Sequence, residues 1–190
     1  MDFLPSAYTP PAASSNYMRF VPGENRFRIL SDKPIIGWEY WTADRKPIRL
    51  KVYPERMPEN IKLNDPGKHW QAAVKHFWAF AVWSYREEAV QILQINQVSI
   101  QSALTGIFQD KDWGHPKGYD ISVMRTGEGM DTEYQVLTKP HKPLSKDIEA
   151  EYKMKPVHLE ALFKSEDPFA PKEQQRYSDE DQLPEEVPFA

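Results

Sequence analysis

The chain has no cysteine among its 190 residues. That excludes disulfides, thiolate catalysis, and zinc or iron–sulfur centres held by sulfur. It also lacks any run of about 18 apolar residues, so nothing in it reads as a membrane-spanning helix. The first residues hold no basic segment followed by an apolar stretch, so no secretory signal is expected. No GxxxxGK[ST] occurs, which argues against a P-loop and ATP-driven chemistry. The five histidines (His69, His76, His115, His141, His158) match no HExxH or other ligand spacing. Asp110 and Asp112 flank Lys111 after a helical stretch and read as a solvated turn rather than a magnesium site. The expectation is a cytoplasmic protein that is not an enzyme and carries no metal or cofactor.

What remains is enough for one domain. Hydrophobic residues make up 40% of the chain and the mean hydropathy is −0.69, which suits a core of roughly 100–150 residues with solvated appendages. Charge is divided unevenly along it. Residues 17–146 hold 19 Lys and Arg against 15 Asp and Glu, whereas residues 147–190 hold 5 against 12. A basic body with an acidic end is either an ordinary solvated surface or a polyanion-binding domain with an arm that screens it.

Four segments are expected. Residues 1–16 are rich in Pro, Ala and Ser and make a disordered arm. Residues 17–146 make the domain, residues 147–164 a short helical extension, and residues 165–190 a disordered acidic tail. Within the domain, Phe27–Leu30, Gly37–Trp41 and Pro47–Tyr53 read as strands, the last with Ile48, Leu50 and Val52 at period two. His76–Tyr85 is the strongest strand signal, apolar on both faces, and Val90–Ile95 returns beside it after Arg86-Glu87-Glu88. Ile100, Leu104, Ile107 and Phe108 then fall on one side of a helix over 97–109, with Asn96 or Ser99 as its cap. Tyr119–Met124 and Tyr134–Thr138 close a second hairpin. One helix set between the third and fourth members of a five-strand set is the pattern of an OB-fold barrel. The fold class is therefore mainly β: a five-stranded OB-fold with one inserted helix, short C-terminal helices and disordered ends.

Of the six tryptophans, five fall between residues 38 and 83, interleaved with Lys and Arg. Single-strand binding needs that mixture, because flat rings stack on unpaired bases while cations neutralise phosphates. The nucleic-acid candidates are Trp38, Tyr40, Trp41, Trp78 and Trp83, with Arg45, Lys46, Arg49, Lys51, Lys75 and Arg125 on phosphates. Arg49 and Lys51 stand out because they flank Leu50 on a strand whose other face is apolar. The competing reading makes the rings core. In 77–83 one set, Phe77/Ala79/Ala81/Trp83 or Trp78/Phe80/Val82, must point inward, and the other faces nucleotides, a helix or a partner.

Tyr17-Met18-Arg19-Phe20, Pro22–Leu30, Lys75–Trp83, Val90–Ile95, Ser99-Ile100-Gln101 and Tyr119-Asp120-Ile121 with Arg125, Gly127, Gly129 and Thr132-Glu133-Tyr134 together resemble phage-type single-stranded DNA-binding proteins over about residues 17–144. The end of the chain, with Asp179, Glu180, Asp181, Glu185, Glu186, Val187, Pro188 and Phe189, resembles the acidic tail of bacterial single-stranded DNA-binding proteins, which ends in Ile-Pro-Phe. Here Ala190 follows, so Phe189 lacks the terminal carboxylate. The resemblance implies an OB-fold, sequence-tolerant binding of single-stranded DNA, and a role in replication, recombination or repair, in the host cytoplasm if the gene is a phage's. It also implies a tail that recruits a polymerase, helicase or nuclease. Two other readings stay open: a protein-interaction adaptor of a phage replisome, and a single-strand RNA-binder. Self-association is compatible with this reading, and the same rings and cations suit DNA and RNA alike.

Overall fold

The computed structural model describes residues 15–63, 67 and 69–171. In chain order the strands are β1 (Tyr17–Met18), β2 (Gly23–Ile29), β3 (Ile35–Trp41), β4 (Pro47–Leu50), β5 (Lys75–Ser84), β6 (Ala89–Ile95), β7 (Asp120–Thr126) and β8 (Glu133–Thr138). The helices are α1 (Val98–Gln109) and α2 (Lys146–Met154), with 3-10 turns at Trp70–Ala73, Pro116–Gly118, Gly129–Asp131 and Leu159–Lys164. The protein is mainly β.

β5 organises the sheet. One of its edges pairs along most of its length with β6, from Trp78 opposite Ile95 to Ser84 opposite Ala89. Its other edge is shared: Lys75–Ala79 pair with β3, and Val82–Ser84 with β2. From β2 the pairing continues through β7 to β8, and β4 lies outside β3. β1 runs parallel to β6, so the sheet is mixed. Among the described residues the strand path is open, and no ladder joins its two ends. The five-stranded barrel expected from the sequence is therefore seen only as this larger, eight-stranded sheet.

Period two decides the packing, because alternate residues leave opposite faces. On one face Phe80, Val82, Leu93, Ile95, Phe27, Ile29, Ile121 and Val123 meet Ile100 and Leu104 of α1. On the other, Phe77, Ala79 and Ile92 meet Leu159 and Leu162, while Ala81 and Val90 meet Ile148 of α2. Each fully buried aliphatic side chain of this kind contributes about 1.5–3 kcal/mol. The double-sided apolar run of β5 is thus explained, with α1 on one side and the C-terminal segment on the other. Residues 165–171, expected to lack structure, continue that cover. His158 N–H donates to the Pro168 carbonyl at 2.7 Å, and Phe169 packs on the second cluster.

Two local expectations are corrected. β4 stops at Leu50, because the chain bends at Lys51 and Val52 and leaves Val52 76% exposed. Helix α1 starts after Gln97 with no side-chain cap; the Asn96 Oδ1 accepts from the Gln94 amide at 3.0 Å instead, and its NH2 donates to Glu39 at 3.3 Å. A buried cluster ties β2 to β7. Arg28, 1% exposed, and Arg26 both donate to the Asp120 carboxylate, and the Tyr85 hydroxyl is a third donor at 3.0 Å. Burial pushes the Asp120 carboxyl up, but these hydrogen bonds and the Arg28 charge outweigh it and hold it below its ordinary value.

Candidate nucleic-acid interface

The β3–β4 hairpin is held to β5 through the pairing of β3 with Lys75–Ala79. On one of its faces lie Ile36, Trp38 and Tyr40, with Leu50 and Ile48 opposite on β4 and His76 and Trp78 opposite on β5. The bend after β4 brings Tyr53 edge-on to Trp38, with ring centroids 4.8 Å apart and planes at 83°. His76 meets the Trp38 ring at 5.0 Å, and Trp70 stacks on Tyr53 at 6.1 Å with planes 24° apart. All four rings are half-buried, so each is fixed by packing yet reaches the surface. His76 is further held by a 3.2 Å hydrogen bond between Nδ1 and Gln101 Oε1. Trp41, at the end of β3, is 48% exposed.

The segment that carries these rings is rich in cations. Residues 41–75 carry eight Lys and Arg against four Asp and Glu. Arg45, Lys46, Lys62 and Lys75 are exposed and form no ion pair among the described residues. Fixed rings beside unpaired cations can stack on flat groups and hold anionic ones.

Other expected contacts lie elsewhere. Arg49 points inward: its side chain, 10% exposed, meets the Glu39 carboxylate at 3.0 Å and the Gln94 amide oxygen at 3.0 Å. Lys51 lies beyond the end of β4 and bridges to Glu160 at 2.9 Å, with its ammonium 5.2 Å from the Phe163 ring centroid. Neither is a free cation on an open strand face, because β4 ends early and the C-terminal segment packs against it. Trp78 is half-buried against the α1-side core, near Phe80, and its indole N–H is buried without a partner. Trp83 packs beside the cluster of Leu30, Ala81, Val90 and Ile148. Arg125 pairs in the sheet with Gly23 and Tyr134, on the β2–β7–β8 side, and donates to the Phe20 carbonyl at 2.9 Å. The structure therefore sets Trp41 and Arg45 in one recess, with Lys46 in the same turn, and places Trp38 and Tyr40 on one face of β3; Trp78 shares that face but packs on the α1-side core, Lys75 leaves the other face of β5 opposite Glu39, and Arg49, Trp83 and Arg125 lie elsewhere.

Tyr53 and His76 join the site although neither was a sequence candidate. Tyr53 hides at the end of an apparent strand, and its role depends on the bend that ends β4. His76 was discounted as a metal ligand, yet its place two residues before Trp78 puts it on the same face of β5. The tail residues Asp179, Glu180, Asp181, Glu185, Glu186, Val187, Pro188 and Phe189 lie outside the described residues. Among the described residues, no helix is long and apolar enough to cross a membrane. No family model, curated protein or solved structure matches the chain.

Proposed function

We propose that the protein binds unpaired polynucleotide, single-stranded DNA in the first instance, on the β3–β4 hairpin and the Trp70–Ala73 turn. One observation carries this reading: Trp38, Tyr53 and Trp70 form one packed, half-exposed ring cluster, and on the same hairpin the exposed ring of Trp41 shares a recess with Arg45 and Lys62, neither of which forms an ion pair among the described residues. Stacking on such rings is worth about 1–3 kcal/mol per base and is indifferent to sequence. Preference for unpaired over duplex DNA shifts melting toward single strands by mass action. The protein has no catalytic role in this reading. An OB-type barrel is part of the proposal, supported by the single helix between β6 and β7 and by the shared edge of β5. So is a cytoplasmic setting in replication, recombination or repair. In the same proposal, the acidic residues 178–190 compete for the cationic hairpin and, once displaced by DNA, recruit replication proteins.

The test is a titration of intrinsic tryptophan fluorescence with oligo(dT), against duplex of equal length. The expected result is partial quenching by oligo(dT) alone, because Trp78, Trp83 and Trp113 pack against other clusters, away from the Trp38–Tyr53–Trp70 rings. Equal response to both ligands, or to neither, contradicts the proposal. A salt-insensitive interaction with protein partners and none with oligo(dT) would favour an adaptor.

A further inference from the structure

The hairpin tip carries a recess of about 110 Å³, lined by Trp41, Arg45, Lys62 and Ala73. That is well below the roughly 300–1,000 Å³ of a pocket that swallows a whole small-molecule ligand. It fits one group of a larger molecule. Its walls are one exposed indole, one methyl and two cations, with no acidic side chain among them. A planar group bearing an anion therefore suits it better than an aliphatic or cationic one.

The recess is also preformed. Thr42 N–H donates to the Lys46 carbonyl at 2.9 Å, and Arg45 N–H to the Thr42 carbonyl at 2.9 Å. Lys46 N–H reaches the Thr42 hydroxyl at 3.1 Å. The opposite wall is joined to this tip by Ala43 N–H to Asn60 at 3.0 Å and by Lys62 N–H to the Trp41 carbonyl at 2.7 Å. Arg45 itself sits at φ 60°, a left-handed conformation that glycine adopts freely and arginine does not. The turn thus holds a cation where its geometry favours glycine.

We infer that this recess seats one base of the bound strand, stacked on Trp41, with the adjoining phosphate held by Arg45 and Lys62. The inference rests on the proposed binding of unpaired strands and adds a fixed anchor to it. The remaining rings, of which Trp70 starts the turn whose last residue, Ala73, lines the recess, then take neighbouring bases without selecting them.

The experiment uses the full chain and two ligands: oligo(dT) of about ten nucleotides, within the range of one OB-type site, and an equally long strand of abasic residues. Trp41→Ala should weaken oligo(dT) binding roughly 5- to 150-fold, the range for one lost stacked base, and leave the abasic strand unaffected. Trp41→Phe should keep most of the affinity. Arg45→Gly should weaken both ligands while the melting temperature stays level or rises, which a merely structural role would not give. If Trp41→Ala weakens both ligands equally, or neither, the anchor is refuted while strand binding stands. If the unaltered protein binds neither, both readings fall.

Discussion

Arg45 and Arg49 leave the same hairpin four residues apart and have opposite roles. Arg49 is buried against Glu39, itself 4% exposed, and lies 6.0 Å from the Phe77 ring centroid. Removing one partner of such a pair strands the other charge, at a cost of about 3–5 kcal/mol. Arg49→Ala should therefore lower stability by that order in denaturant unfolding. Lys46→Ala, on an exposed and unpaired cation, should change stability by no more than about 0.5 kcal/mol. Equal stability losses in the two variants would contradict this division. Asp120 adds a pH dependence whose direction follows from its lowered pKa. Unfolded, the carboxyl titrates near 3.9; folded, it titrates lower, so its stabilisation is complete above the unfolded value and drains as pH falls through the folded one. Melts between pH 6 and 2 should show wild type losing stability below about pH 4, and Asp120→Asn starting lower with a shallower decline. Parallel curves would show that the Arg26–Asp120–Arg28 cluster is not the cause. The sequence made Arg49 the better phosphate candidate of the two, because it leaves a strand whose other face is apolar. The register, which sets Arg49 opposite Glu39, reverses that order.

At the scale of elements, the C-terminal segment is a working part of the fold. Leu159 and Leu162 close the face of β5 that α1 leaves open, and Phe163 comes against Gly37. A Cβ at Gly37 would lie 2.5 Å from the Leu50 carbonyl oxygen and 2.8 Å from the Phe163 ring. Leu162→Ala should cost about 2–5 kcal/mol, and Gly37→Ala should destabilise by forcing that segment off the hairpin; thermal melts of both variants check this. A wild-type melting temperature in both would show the segment to be an appendage. This is where the sequence was most and least informative. The 4-3-1 spacing of Ile100, Leu104, Ile107 and Phe108 marked α1 to within a residue, and the apolar run of 77–83 marked a strand covered on both sides. What covered the second side was hidden, because Ile148, Leu159 and Leu162 lie in a polar, acidic stretch that reads as a short helical extension with no sign of where it packs. The closure of the sheet was equally illegible, since strand order depends on pairings between residues nearly a hundred positions apart, such as Asn25 with Val123.

For the whole molecule the governing feature is the charge asymmetry between a basic body and an acidic end. If Arg45, Lys46, Lys62 and Lys75 each displace a counterion from single-stranded DNA, log Kd should rise with log salt at a slope of about 3. If the acidic end competes for the same cations, as proposed, deleting residues 178–190 should tighten binding at low salt, and the difference should narrow as salt rises and screens both. Binding assays on full-length and truncated chains across a salt series decide it, and identical curves would leave the tail without a role in binding.

The central claim is one of location, that bases lie on rings of the β3–β4 hairpin and its neighbouring turn. Ultraviolet cross-linking of the full chain to oligo(dT), followed by mapping of the modified residues, reads it directly. The account predicts adducts at Trp38, Trp41, Tyr53 and Trp70. Adducts confined to Phe20 and Tyr134, on the β2–β7–β8 side, or none at any aromatic residue, would contradict it.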